Sequence, residues 1–284
     1  MEKKKTKYIK SPLNYTGGKY KLLSQIIPLF PKDIDTFLEP FAGGLNVSLN
    51  LNANSYILND SCKELVELWE YLSKVDIDIF IKEIEENIKK YDLSITNVAG
   101  YNKLREDRNK TKDNTLLFFL LICYGFNHQI RFNRYGEFNI PFGKERSCFN
   151  DTIKKNLILT IEQLQSYKDL QFTNIDFRKI NYSKLTNRDF VYFDPPYYIT
   201  TATYNDGWTS KEEQDLLDIM TILDKQCVKF ALSNVIEHHG VINELLLKWS
   251  KNFNIIDLTM DYKNSSYHKK EKNKLSREVL ITNY

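Results

Sequence analysis

Four consecutive residues, Asp194-Pro195-Pro196-Tyr197, directly follow the apolar run Phe190–Phe193 (FVYF) and have the composition needed to work on an amino group. An exocyclic amine is a poor nucleophile because its lone pair is delocalised into the ring. Two acceptors aimed at its hydrogens, the Asp194 carboxylate and the Pro195 carbonyl, would draw the nitrogen toward tetrahedral geometry. The lone pair would then face an electrophilic carbon. Two prolines after a strand forbid both ladder pairing and helix, so that carbonyl is held at a fixed angle. Tyr197 offers a flat face on which a base removed from its helix can stack. The same residues would also serve to close a buried strand with a rigid turn. Strand, acid, diproline and aromatic in this order favour the chemical reading. No covalent intermediate is required, and no cysteine lies nearby.

A second cluster has the character of an adenosine-binding edge. Glu39-Pro40-Phe41-Ala42-Gly43-Gly44 supplies a glycine turn after a strand, and Asp60 ends the next strand, where an acid accepts ribose hydroxyls. Leu45 and Asn46 offer no phosphate cradle, which argues against a nicotinamide dinucleotide. A plain glycine turn with a capping aspartate remains an equal reading of these residues alone. Upstream, Tyr15-Thr16-Gly17-Gly18-Lys19 precedes an expected amphipathic helix with Leu22, Leu23, Ile26, Ile27 and Phe30 on its apolar face. Its glycines would let backbone approach a ligand, Tyr15 would stack or hydrogen-bond, and Lys19 would pair with a carboxylate. In isolation a solvated lysine capping a turn is the simpler account.

The elements that must position these groups read as an α/β fold with a mostly parallel sheet. Strands are expected at 36–41, 56–59, 170–173, 190–193, 229–233, 254–258 and 278–282. Helices are expected from the Gly43–Gly44 turn through Leu51, at 61–73, and within 206–226 and 240–251. Residues 76–150 break the rhythm with helical patterns and a polar-aromatic loop. That loop, Asn127–Arg146 (NHQIRFNRYGEFNIPFGKER), carries four arginines and lysines, three phenylalanines and a tyrosine. We read 1–75 and 151–284 as one catalytic domain and 76–150 as an inserted subdomain.

Bulk properties set the bounds. Apolar residues make up 42% and aromatics 13% of the 284 residues, enough for a substantial core, and the net charge is only +3. A nucleic-acid face must therefore come from local clustering. Cys62, Cys123, Cys148 and Cys227 are scattered, as expected of reduced thiols rather than a disulfide framework or zinc site. The basic start, Met1 to Lys10, has no apolar segment after it, and the run Leu116–Tyr124 falls short of the roughly 20 residues of a membrane span. The expectation is a cytoplasmic, DNA-associated protein with no membrane segment and no metal. His238-His239 are expected to open a helix beside Gly240, Leu216, Leu217, Met220 and Leu223 to face the core, and the basic stretch Lys263–Arg277 to lie along phosphates or form a solvated loop.

At these residues the chain resembles the Dam family of DNA adenine-N6 methyltransferases, in the motif order cofactor, recognition insert, catalysis. The resemblance runs over nearly the whole chain. It is carried by YTGGK (Tyr15–Lys19), FLEPFAGG (Phe37–Gly44), LND (Leu58–Asp60), IRFNRYGEFNIPFGK (Ile130–Lys144) and DFVYFDPPY (Asp189–Tyr197). YNKLREDRNKT (Tyr101–Thr111) and SNVIEHHG (Ser233–Gly240) are most similar to the phage-encoded branch. The resemblance implies a Rossmann-like sheet that uses S-adenosylmethionine, with a mostly helical target-recognition insert. It implies that Tyr15, Lys19, Asp60 and Asp194 hold the cofactor, with Glu39, Phe41 and Gly43 in the same motif and Asp176-Phe177 near the adenine ring. It implies that Arg131 reads a guanine, as a guanidinium fork suits, that Pro141 touches a thymine methyl, and that Asn133, Arg134 and Lys144 belong to the DNA-binding loop. The implied substrate is double-stranded DNA, methylated at a flipped adenine within GATC, and we take one copy of the chain as the acting unit. Two departures stand out: Glu145 after Lys144, where relatives carry an aromatic or basic residue, and Leu45 in place of a third glycine. The other readings on the same fold are cytosine-N4, RNA or protein-amide methylation, and a non-catalytic DNA-binding module; a nucleotide-dependent dehydrogenase lies further off.

Overall fold

The computed structural model describes residues 8–15, 17–200, 207–259 and 276–284, and these divide into two compact bodies. One is built on a sheet (Lys21–Ala42, Leu51–Ser61 and Asp169–Tyr284); the other is helical (residues up to Tyr20, Gly43–Asn50 and Cys62–Lys168).

The sheet body has eight strands among its described residues: β1 (Thr36–Glu39), β2 (Ser55–Asn59), β3 (Leu170–Thr173), β4 (Phe190–Phe193), β5 (Lys229–His238), β6 (Val241–Ile242), β7 (Asn254–Asp257) and β8 (Ser276–Thr282). Their order is β3-β2-β1-β4-β5-β8-β7, with β6 hairpinned onto β5. β1 to β5 pair in parallel, and β8 runs antiparallel to both β5 and β7. All four residues of β4 are buried, as expected of a central parallel strand covered on both faces. Chain order reverses between β1 and β4, and in open α/β sheets ligands bind beyond the carboxyl ends at such a point. Helices α7 (Ser210–Lys225) and α8 (Glu244–Ser250) pack on β5; α7 opens with a capping box between Thr209 and Glu212.

The helical body holds α2 (Lys63–Leu72), α3 (Ile77–Lys90), α4 (Val98–Thr111), α5 (Thr115–Tyr124) and α6 (Asp151–Ser166). Asp76, Asn97, Asn114 and Asn150 cap the last four, each accepting from a backbone N–H of the first turn. α5 is apolar all round and buried from Leu117 to Tyr124, so it forms the core on which α2, α3 and α4 pack, while α6 packs against α3. All five helices fall in the longest stretch of this body, Cys62–Lys168.

Three expected helices differ. After Gly43–Gly44 there is only a 3-10 turn at Ser48–Asn50, because Leu45 is left-handed (φ 57°) and the asparagines bind backbone instead of leaving it to a helix. Asn50 Nδ2 donates to the Ile9 and Asn46 carbonyls at 2.8 Å each. The pattern from Leu22 to Phe30 yields one α turn, α1 (Leu23–Ile26), since Pro28 forces the chain into a 3-10 turn. His238-His239 do not open a helix. His239 (φ 48°) and Gly240 (φ 80°) form the two-residue turn of the β5–β6 hairpin, which requires left-handed backbone at both positions.

Candidate active site

β1 and β4 are neighbours, and each runs directly into an acid–proline step: Glu39-Pro40 at the end of β1, Asp194-Pro195 after β4. Glu39 and Pro195 are buried, whereas Asp194, Pro196 and Tyr197 are half-buried at the carboxyl edge. The Tyr197 hydroxyl donates to Glu278 Oε1 of β8 at 3.0 Å and lies 3.5 Å from Asp194 Oδ1. Burial, then the charges of Asp194 and Glu278, push its pKa far above the usual tyrosine range, so it stays a protonated donor. Behind it, Tyr192 and Ser233 share a 2.7 Å hydrogen bond between β4 and β5.

At the end of β2, Asn59 uses both ends of its amide to tie three strand ends together. Its Nδ2 donates to the carbonyls of Pro40 (2.9 Å) and Ile175 (3.0 Å). Its Oδ1 accepts from Thr173 Oγ1 (2.8 Å) and Ile175 N–H (3.1 Å). Asp60, the next residue, is buried, with its carbonyl accepting from Asn174 Nδ2 at 2.8 Å. Asp176 is held by a two-pronged Arg178 fork at 2.9 and 2.6 Å, and these bonds lower its pKa to about 2. Phe177 is buried, and its ring centroid lies 5.2 Å from Phe41 and 5.3 Å from Trp208. Trp208 is set in turn by Glu213, a buried carboxylate that accepts its indole N–H at 2.9 Å and an Asn243 N–H at 2.7 Å. Burial raises the Glu213 pKa.

In the helical body the two glycine motifs meet. A Cβ at Gly43 (φ 47°) would sit 3.0 Å from the Tyr15 ring, and one at Gly44 only 2.9 Å from Tyr15 Cβ, so only glycine lets the turn close against that tyrosine. Trp69 donates its indole N–H to the Gly43 carbonyl at 2.9 Å. Lys19 is buried, with its ammonium donating to the Gly17 carbonyl at 2.8 Å; it is not a solvated cap.

The loop after α5 is a hairpin in which Phe132 bridges Phe138. Asn133 belongs to its turn: Oδ1 accepts the Tyr135 and Glu137 N–H groups at 2.9 and 3.0 Å. Arg131, Arg134, Pro141 and Lys144 are exposed. Arg131 is braced across the hairpin, with Nε donating to Asn139 Oδ1 at 2.7 Å. Lys144 pairs with Glu145 at 3.7 Å. The hairpin backbone hangs on α4. Tyr101 Oη and Arg105 Nη1 donate to the Ile140 carbonyl at 2.9 and 3.0 Å, and Asn109 both donates to and accepts from Phe138. Arg108, fully buried, packs beside the rings of Phe118 and Phe132, with Glu64 Oε1 at 3.5 Å.

Glu278, Asn59, Trp208 and Arg108 were not singled out by sequence reasoning. Asn59 stood inside the LND motif, and Glu278 is a lone carboxylate leading into the apolar run of the last strand; those were the available signals. Residues 263–275 of the basic tail, and Thr16 of YTGGK, lie outside the described residues. Among the described residues no helix is long and apolar enough to cross a membrane, and no group of His, Cys, Asp and Glu could hold a metal.

Residues 15–264 match the D12 class N6 adenine-specific DNA methyltransferase family. The chain is 49% identical over 287 residues to the Type II methyltransferase M.FokI of Planomicrobium okeanokoites, covering 99% of this chain and 44% of that protein. It is 45% identical over 286 residues to the modification methylase StsI of Streptococcus sanguinis (98% and 43%). To the DNA adenine methylase of Escherichia coli (strain K12) it is 30% identical over 232 residues (78% and 79%). The chain therefore spans less than half the length of the first two, and its likeness to them exceeds its likeness to the Dam protein of E. coli. The chain belongs to the D12 class N6 adenine-specific DNA methyltransferase family.

Proposed function

We propose that this chain transfers a methyl group from S-adenosylmethionine to N6 of an adenine flipped out of double-stranded DNA. One observation carries the reading: Asp194-Pro195 stand at the carboxyl end of β4, beside the Glu39 end of β1, where the strand order reverses. The donor set supports the cofactor. Buried carboxylates at the ends of β1 and β2 suit hydroxyl and ammonium groups, and the Phe41–Phe177 pair offers apolar faces to a purine. When bound, S-adenosylmethionine supplies an electrophilic methyl on a sulfonium. Asp60 would accept from its ribose, and Asp176 from its adenine while Arg178 orients the carboxylate. Tyr15, Lys19 and Gly43 are assigned to the cofactor from the family motif alone.

Asp194 and the Pro195 carbonyl accept the two amino hydrogens of the flipped adenine, which localises the nitrogen lone pair. Tyr197 provides the stacking face. Arg131, Arg134, Pro141 and Lys144 meet the duplex from the hairpin, with Asn133 shaping its turn, and 76–150 is the core of the recognition subdomain. GATC is the context implied by the Arg131 and Pro141 correspondences, and a restriction–modification setting accords with the names of the two modification methylases. The test is incubation of unmethylated plasmid DNA with S-adenosylmethionine, followed by sequencing that detects modified bases. N6-methyladenine in one fixed context is the expected outcome. N4-methylcytosine, or no modification with cofactor bound, would overturn the reading, and another adenine context would overturn GATC alone.

A further inference from the structure

The Tyr197 hydroxyl has one proton and two carboxylates near it, Glu278 Oε1 at 3.0 Å and Asp194 Oδ1 at 3.5 Å. The destination of that proton matters, because Asp194 is the acceptor required for an amino hydrogen. We infer that Glu278 is a positioning residue: it accepts the hydrogen bond of the Tyr197 hydroxyl, and so keeps that hydroxyl from competing with the target amine for Asp194. The inference rests on the role proposed for Asp194.

Topology puts Glu278 in place. β4 stops at Phe193, which pairs with Leu232, while β5 runs on to His238. β8 follows β5 on its other side, with Glu278 opposite Val235, beyond the last residue that β4 pairs. The carboxylate thus overhangs the edge where β4 has given way to the diproline turn. Val279, Leu280 and Ile281 behind it are buried, which fixes the strand that carries it. The hydroxyl reaches both carboxylates, but the 3.0 Å bond to Glu278 lies within the ordinary O–H···O range and the 3.5 Å contact to Asp194 lies outside it, so the proton is directed mainly at Glu278 in this arrangement. Removing the acceptor lets the hydroxyl turn to Asp194. A carboxylate oxygen already accepting a phenol proton is a weaker acceptor for an amine.

The test is steady-state methylation of unmethylated plasmid DNA with labelled S-adenosylmethionine. Glu278→Leu should lower kcat about tenfold with both KM values within about twofold, the scale of one misdirected hydrogen bond. Glu278→Gln, whose amide oxygen still accepts the proton, should recover most of that loss. In a Tyr197→Phe background, which keeps the ring but has no proton to misdirect, Glu278→Leu should cost nothing further. An equal loss in both backgrounds, or no loss in the tyrosine background, overturns the inference. If circular dichroism shows that Glu278→Leu does not fold, Glu278→Ala completes the cycle. Asp194→Ala, which removes the side-chain acceptor altogether, serves as the control on the underlying reading. Retained activity there defeats the role of Asp194 itself, whereas loss at Asp194 with no effect at Glu278 defeats only the inference.

Discussion

The diproline edge and the arginine hairpin solve opposite problems. At the end of β4 the side chains are half-buried and locked by the sheet: buried strand residues behind, a diproline in the chain, and Glu278 on Tyr197. In the hairpin the candidate reading groups are exposed, while the backbone beneath them is fixed by Tyr101, Arg105 and Asn109 of α4. Chemistry needs acceptors held to within a fraction of an ångström, which a parallel strand end supplies. Base reading needs long side chains free to enter a groove from a backbone that does not drift. The first region should therefore govern rate, and the second choice of sequence.

The largest test of that division is Asp194→Ala. We expect methyl transfer to fall by on the order of 10³-fold, with duplex affinity in a gel-shift titration little changed. A variant that loses DNA affinity in parallel with rate would erase the distinction between the regions. Next, Arg131→Ala should relax discrimination by roughly 10- to 100-fold at one base position, as loss of a forked contact does, and lower kcat far less. Assays on single-base variants of the methylated site would reveal it, and an undiminished preference would place base reading elsewhere.

Arg108 sharpens the comparison, because it is buried yet serves the exposed hairpin through Phe132. Burial lowers its pKa, with Glu64 offsetting part of that effect. Arg108→Lys keeps the charge but loses the guanidinium's contacts with the two rings, and should cost about 2 kcal/mol in urea unfolding. It should also broaden sequence choice before it slows transfer; slower transfer at intact specificity would contradict the support role. The smallest effect concerns Asp176. Its carboxyl is depressed to about 2 by Arg178, below its unfolded value, so its stabilising contribution is present above the unfolded pKa and is lost as pH falls through about 2. The stability difference between wild type and Asp176→Asn should accordingly shrink in acid melts between pH 5 and pH 2, and a difference that grew would reverse the assignment.

The amino-acid order alone determined the parts whose causes are local. The apolar run FVYF followed by two prolines has few conformations open to it, and the glycines after Phe41 mark a turn wherever the chain goes. The strand–helix alternation predicts a mostly parallel sheet because each parallel pair needs a crossover. Failures came where tertiary contacts outvoted local pattern. Leu45 accepts a left-handed backbone because its side chain is buried, and His239-Gly240 turn tightly because β6 returns onto β5.

What only the folded molecule decided are the partnerships across long stretches of chain. Tyr197 meets Glu278 because an antiparallel strand overhangs a shorter parallel one. Asn59 ties the ends of three strands together, and Arg108 packs against rings drawn from a helix and a hairpin. A hydrogen bond or a ring stack depends on distance in space, and sequence separation carries almost no information about that until strand order and register are set.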